Sequence, residues 1–327
     1  MVTAEEDAHA SAVLSKARAE NFPVAPRFLP REWRDDLMAV YGFARLVDDI
    51  GDSDLTFGAE HAVALGLAPE QAGDPLAMLD AFESDLHRVF EGTAGGAGPT
   101  GRTGPTGRTG PTGRTGSAAA AREPGHPLLR ALVPTVRRRG LTPEPFLALV
   151  EANRQDQKVR RYATWGELLA YCELSANPVG HLVLAITGTS TPERVRRSDA
   201  VCTGLQIVEH LQDVAEDLAR DRIYLPAEDM DRFRVSESDL AAPTANASVR
   251  ALVAFEADRA LGLLDEGTPL VRSVHGRLRL LLAGFTGGGR AAAGALRAAR
   301  YDVLAGAPKA GAASVLRESW ASLRGEG

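Results

Sequence analysis

Apolar residues return every three or four positions along most of the chain, and nowhere do they alternate as in a strand. The clearest run is Arg31 to Asp52, where Trp33, Leu37, Val40, Tyr41, Ala44 and Val47 lie on or near one face of a predicted helix. Further helices are predicted near Asp7 to Ala19 and from Pro75 to Glu91. ENFPVAP (Glu20 to Pro26) breaks the first of these with two prolines. Thr142-Pro143-Glu144 reads as an N-cap with proline at the first helical position, opening a helix toward Arg160. Thr164 and Glu167 have capping-box spacing before a Leu168–Thr187 helix, which Asn177-Pro178 should kink. Thr191-Pro192-Glu193 starts the next helix. Later helices are predicted from about Ser248 to Val271, from His275 to Tyr301 with an interruption at Gly287-Gly288-Gly289, and from Ala312 to Leu323. The pattern predicts an all-α fold, one domain over residues 1–327, of about ten helices.

Residues 92–122 break the pattern. Three copies of GPTGRT fill Gly98 to Thr115, with glycine at every third position. Six triplets in one chain are too few for a collagen helix, so a disordered insertion is expected. Gly96, Gly98 and Gly101 match GxGxxG, but no strand precedes them and no dinucleotide site is inferred.

Two helices carry acidic stripes inside apolar sequence. Gln206, Glu209, Asp213, Glu216 and Asp217 share one face amid Leu205, Ile207, Val208, Leu211, Val214 and Leu218. Earlier, Tyr41, Arg45, Asp48 or Asp49, and Asp52 form a narrow stripe at the end of the Arg31–Asp52 helix. Carboxylates facing inward are costly unless a cation meets them. Two Asp-x-x-x-Asp pairs, Asp48/Asp52 and Asp213/Asp217, suit capture of Mg²⁺ together with a diphosphate, because Mg²⁺ shares its shell between a few carboxylates, water and substrate phosphates. Arg45 and Arg222 add positive charge, and an apolar remainder would shelter a carbocation.

Composition narrows the partners. The net charge of −6 gives no footprint for nucleic acid. Two cysteines, Cys172 and Cys202, suggest buried hydrophobes in a reducing compartment and not a disulfide framework. The acidic N-terminus lacks the apolar run of a signal peptide, and the Leu168–Thr187 stretch carries polar residues that suit a core helix. A cytoplasmic protein is expected, working at the inner membrane surface through a peripheral contact if its ligands are lipids. Two Glu-x-x-His spacings, Glu6 to His9 and Glu123 to His126, are poorly placed for a di-iron bundle.

The two motifs, YGFARLVDDIGD and QIVEHLQDVAEDLARDRIYLP, resemble those of the squalene/phytoene synthase family of head-to-head prenyl synthases. Within it, ENFPVA, the stretch Arg160 to Leu184, and Gln212 before Asp213 are similar to the hydroxysqualene synthase branch of bacterial hopanoid and squalene biosynthesis. That resemblance implies a class I isoprenoid synthase bundle and a Mg²⁺-dependent lyase that turns presqualene diphosphate and water into hydroxysqualene and diphosphate. A separate presqualene diphosphate synthase would act upstream. The alternative is a transferase of the same family that makes presqualene diphosphate, squalene or phytoene from two prenyl diphosphates. Two or three Mg²⁺ ions are implied, and no NADPH.

The metal set would be Asp48, Asp52, Asp213 and Asp217, supported by Asp49 and Glu216, with Glu209 where the family usually has Asn. Tyr41, Arg45, Asn177 and Tyr224 are candidate catalytic residues, and Phe22, Arg45, Gln206 and Arg222 candidate substrate contacts. His210 lies off the acidic stripe and is read as core or surface. Asp221 replaces a usual Gly before Arg222, and Pro26 and His181 also depart from the family pattern.

Overall fold

A computed structural model describes residues 11–18, 24–91 and 123–325. Phe22 and the GPTGRT segment lie outside the described residues. The all-α expectation holds: among the described residues there is no strand, only an isolated bridge between Arg161 and Ile223.

Past a short helical segment ending in a 3₁₀ turn (Lys16–Arg18), the first half holds α1 (Arg31–Gly51), α2 (Gly58–Ala64), α3 (Pro75–Phe90), α4 (Pro127–Arg139) and α5 (Glu144–Asp156). Next come α6 (Trp165–Ser175), α7 (Asn177–Ile186), α8 (Pro192–Gln212) and α9 (Val214–Ala219). The rest is α10 (Ala227–Phe233), α11 (Glu237–Leu240), α12 (Ala247–Gly267), α13 (Pro269–Ser273), α14 (Gly276–Ala298) and α15 (Ala312–Arg324).

Two apolar clusters form the interior. One joins α1, α3, α4 and α5 through Phe43, Phe82 and Phe146, and the other joins α6, α8 and α12. Helix α14 serves both, with Leu278, Leu281 and Leu282 in the first and Ala292, Ala293 and Leu296 in the second. The first is also pinned by a buried carboxylate. Asp36 on α1 accepts from Thr135 at 2.9 Å and from Arg139 at 2.7 Å on α4. A buried charge persists only when paired in this way.

Local signals behave as their chemistry requires, with three adjustments. Thr164 accepts from the Glu167 amide at 3.2 Å, while the Glu167 carboxylate reaches one residue further, to the Ala163 amide at 2.7 Å. Pro143, not Thr142, is the N-cap of α5. The expected kink at Asn177-Pro178 is a full break: α6 ends at Ser175 and α7 begins at Asn177. Trp165–Ile186, which together has the length and apolarity of a membrane span, is half buried within the protein.

Gly287-Gly288-Gly289 does not interrupt α14, which runs unbroken through it. A Cβ on Gly287 would overlap the Ser319 backbone of α15, and one on Gly289 would meet Leu205 and Leu264. The glycines therefore serve close helix packing, which outweighs their poor helix propensity. Gly287→Ala should destabilise the fold by about 1–3 kcal/mol, the usual cost of forcing extra volume into a packed interface. Chemical denaturation of both proteins measures it, and an unchanged midpoint would refute this account of the glycine run.

Candidate active site

The C-terminal end of α1 and the C-terminal half of α8 face each other across a cavity of about 370 Å³. Tyr41, Arg45 and Asp48 line it from α1, and Gln206 and Glu209 from α8. Apart from Ser175, the rest of the wall is apolar, including Val40, Ala44, Val179, Leu205 and Phe285. Val24 also reaches it, so the chain just beyond Phe22 borders the cavity. One end of the space is thus polar and charged, and the other is greasy.

The acidic residues of α1 separate by face. Asp48 opens onto the cavity, and its Oδ1 accepts from the Asn153 side-chain amide on α5 at 3.0 Å. Enclosure by protein, reinforced by the charges of Asp52 and Asp49, pushes its pKa up to about 7 against the opposing pull of Asn153 and Arg45. Water reaches Asp48 through the cavity. Asp49 points the other way and is 2% exposed, 2.9 Å from Lys16 Nζ and 2.8 Å from Arg45 Nε. It does not join the cavity wall. Arg45 therefore touches the cavity while anchored to a buried carboxylate.

Asp52 caps α1 and bridges the two jaws. Its carboxylate accepts from Arg222 at 2.6 Å and from Arg220 at 3.4 Å. Arg222 follows Asp221, whose φ of 59° is the left-handed conformation that favours glycine. Asp tolerates that region, and Arg161 holds the residue by its carbonyl at 2.6 Å and its carboxylate at 3.0 Å. The exchange of Gly for Asp here keeps the turn.

On the second jaw, Asp213 sits at the break between α8 and α9. Desolvation raises its pKa, helped by the neighbouring Asp217 and Glu216. Glu216 lies outward, its side chain 64% exposed and 3.3 Å from Arg220. Gln212 is turned from the cavity and donates to the Pro308 carbonyl. Asn177 is buried, accepting from Thr203 at 3.0 Å, and is likewise absent from the cavity wall.

Tyr224 is enclosed behind the jaw. Its hydroxyl donates to Asp156 at 3.0 Å, beside Tyr171, which donates to the same carboxylate at 2.7 Å. Only about 10 Å³ remains free around Tyr224, Arg222, Asp217 and His210, room for one water at most. His210, read from the sequence as core or surface, is a half-buried connector. Its ring stacks on Tyr224 with centroids 3.7 Å apart, Nε2 lies 3.1 Å from the Gln206 amide nitrogen, and Nδ1 lies 3.8 Å from Asp217.

Asn153, Asp156 and Gln157 were also missed. They repeat the three-and-four spacing on α5, and Gln157 donates to the Gly51 carbonyl at 2.8 Å. That polar stripe was visible in EANRQDQ, but without an Asp-x-x-x-Asp pair it drew no attention.

Among the described residues, no three His, Cys, Asp or Glu side chains converge as a ready metal site. The donors are all hard oxygens divided between two jaws, and burial together with neighbouring carboxylates raises the pKa of both Asp48 and Asp213. This chemistry fits Mg²⁺ whose shell is completed by substrate phosphate and water.

Residues 15–315 match the squalene/phytoene synthase family. The hydroxysqualene synthase of Rhodopseudomonas palustris is 33% identical over 258 residues, covering 79% of this chain and 72% of its own. The 15-cis-phytoene synthase of Synechococcus elongatus is 26% identical, over 78% of this chain and 72% of its own. Among solved structures, the squalene synthase HpnC of Alicyclobacillus acidocaldarius aligns with TM-score 0.69 and 37% identity, covering 92% of this chain and 97% of that one.

Two predictions follow from the jaw geometry. A Cβ on Gly51 would overlap Asn153 Oδ1, so Gly51→Ala should lower stability by about 1–3 kcal/mol in a denaturant titration; no loss would show that α5 yields freely. For Asp48, the folded pKa lies above the unfolded one. Between pH 4 and 7 the unfolded chain has released this proton while the folded chain retains it, so stability falls as pH rises. Asp48→Asn keeps the Oδ1 acceptor and removes the charge. It should raise the melting temperature of metal-free protein at pH 8 relative to pH 4, when each is compared with wild type, and a lower melting temperature at pH 8 would contradict the assignment.

Proposed function

The chain belongs to the squalene/phytoene synthase family, whose members process prenyl diphosphates, and on that premise we propose that it converts presqualene diphosphate and water to hydroxysqualene and diphosphate. The observation that carries this reading is the two-ended cavity, in which Arg45, Asp48, Gln206 and Glu209 meet at one end of an otherwise apolar wall. Over alignments that span three quarters of this chain or more, identity is 30–33% to hydroxysqualene synthases and 26–27% to phytoene synthases, which favours this branch; a 34% match to a 15-cis-phytoene synthase covers only 44% of the chain.

The division of labour follows from position. Arg45, braced by Asp49, presents a fixed positive charge to the diphosphate end. Arg222, held against Asp52, stands ready to exchange that carboxylate for phosphate oxygens. Asp48, Asp52, Glu209, Asp213 and Asp217 would hold Mg²⁺, which when bound neutralises the diphosphate and eases its departure. The Val40, Ala44, Val179 and Leu205 surface excludes bulk water from the carbocation left behind. In the reaction the carbon–oxygen bond to diphosphate breaks, the cyclopropylcarbinyl cation opens, and one water adds and gives up a proton. Gln206, aligned by His210, is the polar side chain on the cavity wall suited to place that water. No hydride enters the balance, so no nicotinamide is required.

Purified protein with presqualene diphosphate and Mg²⁺ should give hydroxysqualene by mass, unchanged by NADPH. Asp48→Ala or Asp213→Ala, or excess EDTA, should lower turnover by at least about a hundredfold, as expected for loss of charge stabilisation at the leaving group. Full activity in either variant would overturn the metal assignment. Consumption of farnesyl diphosphate alone would favour the transferase reading.

A further inference from the structure

Helix α15 is docked with its small side inward. Ser322 is 1% exposed, and the Ser319 backbone lies against Gly287. Leu323 packs against the core, but two other large apolar residues face out, Leu316 72% and Trp320 58% exposed, and Leu280 on the adjacent α14 is 47% exposed. Folding alone favours the opposite arrangement, since burial of Leu and Trp rewards the chain far more than burial of Ser. Leu280 and Trp320 border an open groove of about 580 Å³ whose rim carries Arg277, Arg279 and Arg324, and Leu316 lies one helical turn before Trp320 on α15.

The charge around this groove is opposite to that of the chain. Residues 268–282 and 312–325 carry Arg272, Arg277, Arg279, Arg317 and Arg324, with Glu318 as the one acidic side chain, already 3.0 Å from Arg317. The whole protein has a net charge of −6. The Arg324 guanidinium sits 5.2 Å from the Trp320 ring centroid, leaving an amphipathic edge of ring and cation together.

We propose that the Leu280–Leu316–Trp320 face with its arginine rim is the surface by which this protein rests on an anionic lipid bilayer. Tryptophan and leucine enter the headgroup–acyl boundary while the arginines remain among anionic headgroups, the balance of forces that holds interfacial helices. A second copy is disfavoured, because the patch would meet its own positive charge. Residues 92–122 of the same chain are disfavoured for the same reason, carrying Arg102, Arg108, Arg114 and Arg122 and no carboxylate. Helix α14 carries both surfaces: Leu280 faces the bilayer while Leu281 and Phe285 line the cavity. The inference stands apart from the reaction chemistry.

Co-sedimentation of the full chain with vesicles tests it. The protein should pellet with phosphatidylglycerol-rich vesicles, not with phosphatidylcholine alone, and Trp320 fluorescence should shift to the blue. Leu316→Ser with Trp320→Ser, and separately Arg277→Glu with Arg324→Glu, should each weaken partitioning by about tenfold or more. All four side chains lie on the surface, so circular dichroism and turnover in detergent solution should match wild type. No association with anionic vesicles, or equal association by the Ser variant, would overturn the proposal. So would lipid-free self-association that the Ser variant abolishes, which would assign the face to a second copy.

Discussion

The Asp52–Arg222 ion pair ties the end of α1 to the loop beyond α9, and the site depends on it. Two acidic helix ends would otherwise repel across a cavity of low dielectric. The chain resolves this by neutralising all but a few of the carboxylates. Asp52 takes Arg222 and Arg220, Asp49 takes Lys16 and Arg45, and Asp156 takes two tyrosine hydroxyls. Asp48 receives only the neutral Asn153 amide, and Asp213 is crowded by Asp217 and Glu216. What remains is negative charge at Asp48 on the cavity wall and at Asp213 on the second jaw, which is the charge the proposed Mg²⁺ would meet. Arg222 matters twice in the proposed reaction, since the pair that closes the jaws also supplies the guanidinium proposed to meet the diphosphate.

Much of this was legible in the sequence. The three-and-four spacing of Tyr41, Arg45, Asp48 and Asp52 placed a stripe on one helix, and Gln206, Glu209, Asp213 and Asp217 placed another. Tyr41, Arg45, Asp48, Gln206 and Glu209 do line one cavity. Periodicity could not choose between Asp48 and Asp49. They are adjacent and about 100° apart around the helix, and the choice depends on Lys16, which approaches from a different segment. Tyr224 and Asn177 were drawn toward the chemistry by their motifs. Their polar atoms are instead satisfied by Asp156 and Thr203, partners distant in sequence.

The glycines and serines near the C-terminus teach a related lesson. Gly287-Gly288-Gly289 reads as a helix breaker by local propensity, yet tertiary contact overrides propensity where a neighbouring backbone must approach. The same contact turns α15 so that serine is inside and tryptophan outside. An amphipathic pattern reveals that a helix has two faces and leaves open which is buried. Here Leu316 and Trp320 are exposed, and the candidate cavity and the exposed patch share α14.

The central claim is that the acidic jaws release diphosphate from a prenyl substrate and that water then captures the cation. It is tested most directly by turning over presqualene diphosphate with Mg²⁺ in ¹⁸O-labelled water. The account predicts stoichiometric diphosphate and an alcohol whose oxygen carries the label. A hydrocarbon product, or an alcohol that retains unlabelled substrate oxygen, would contradict it.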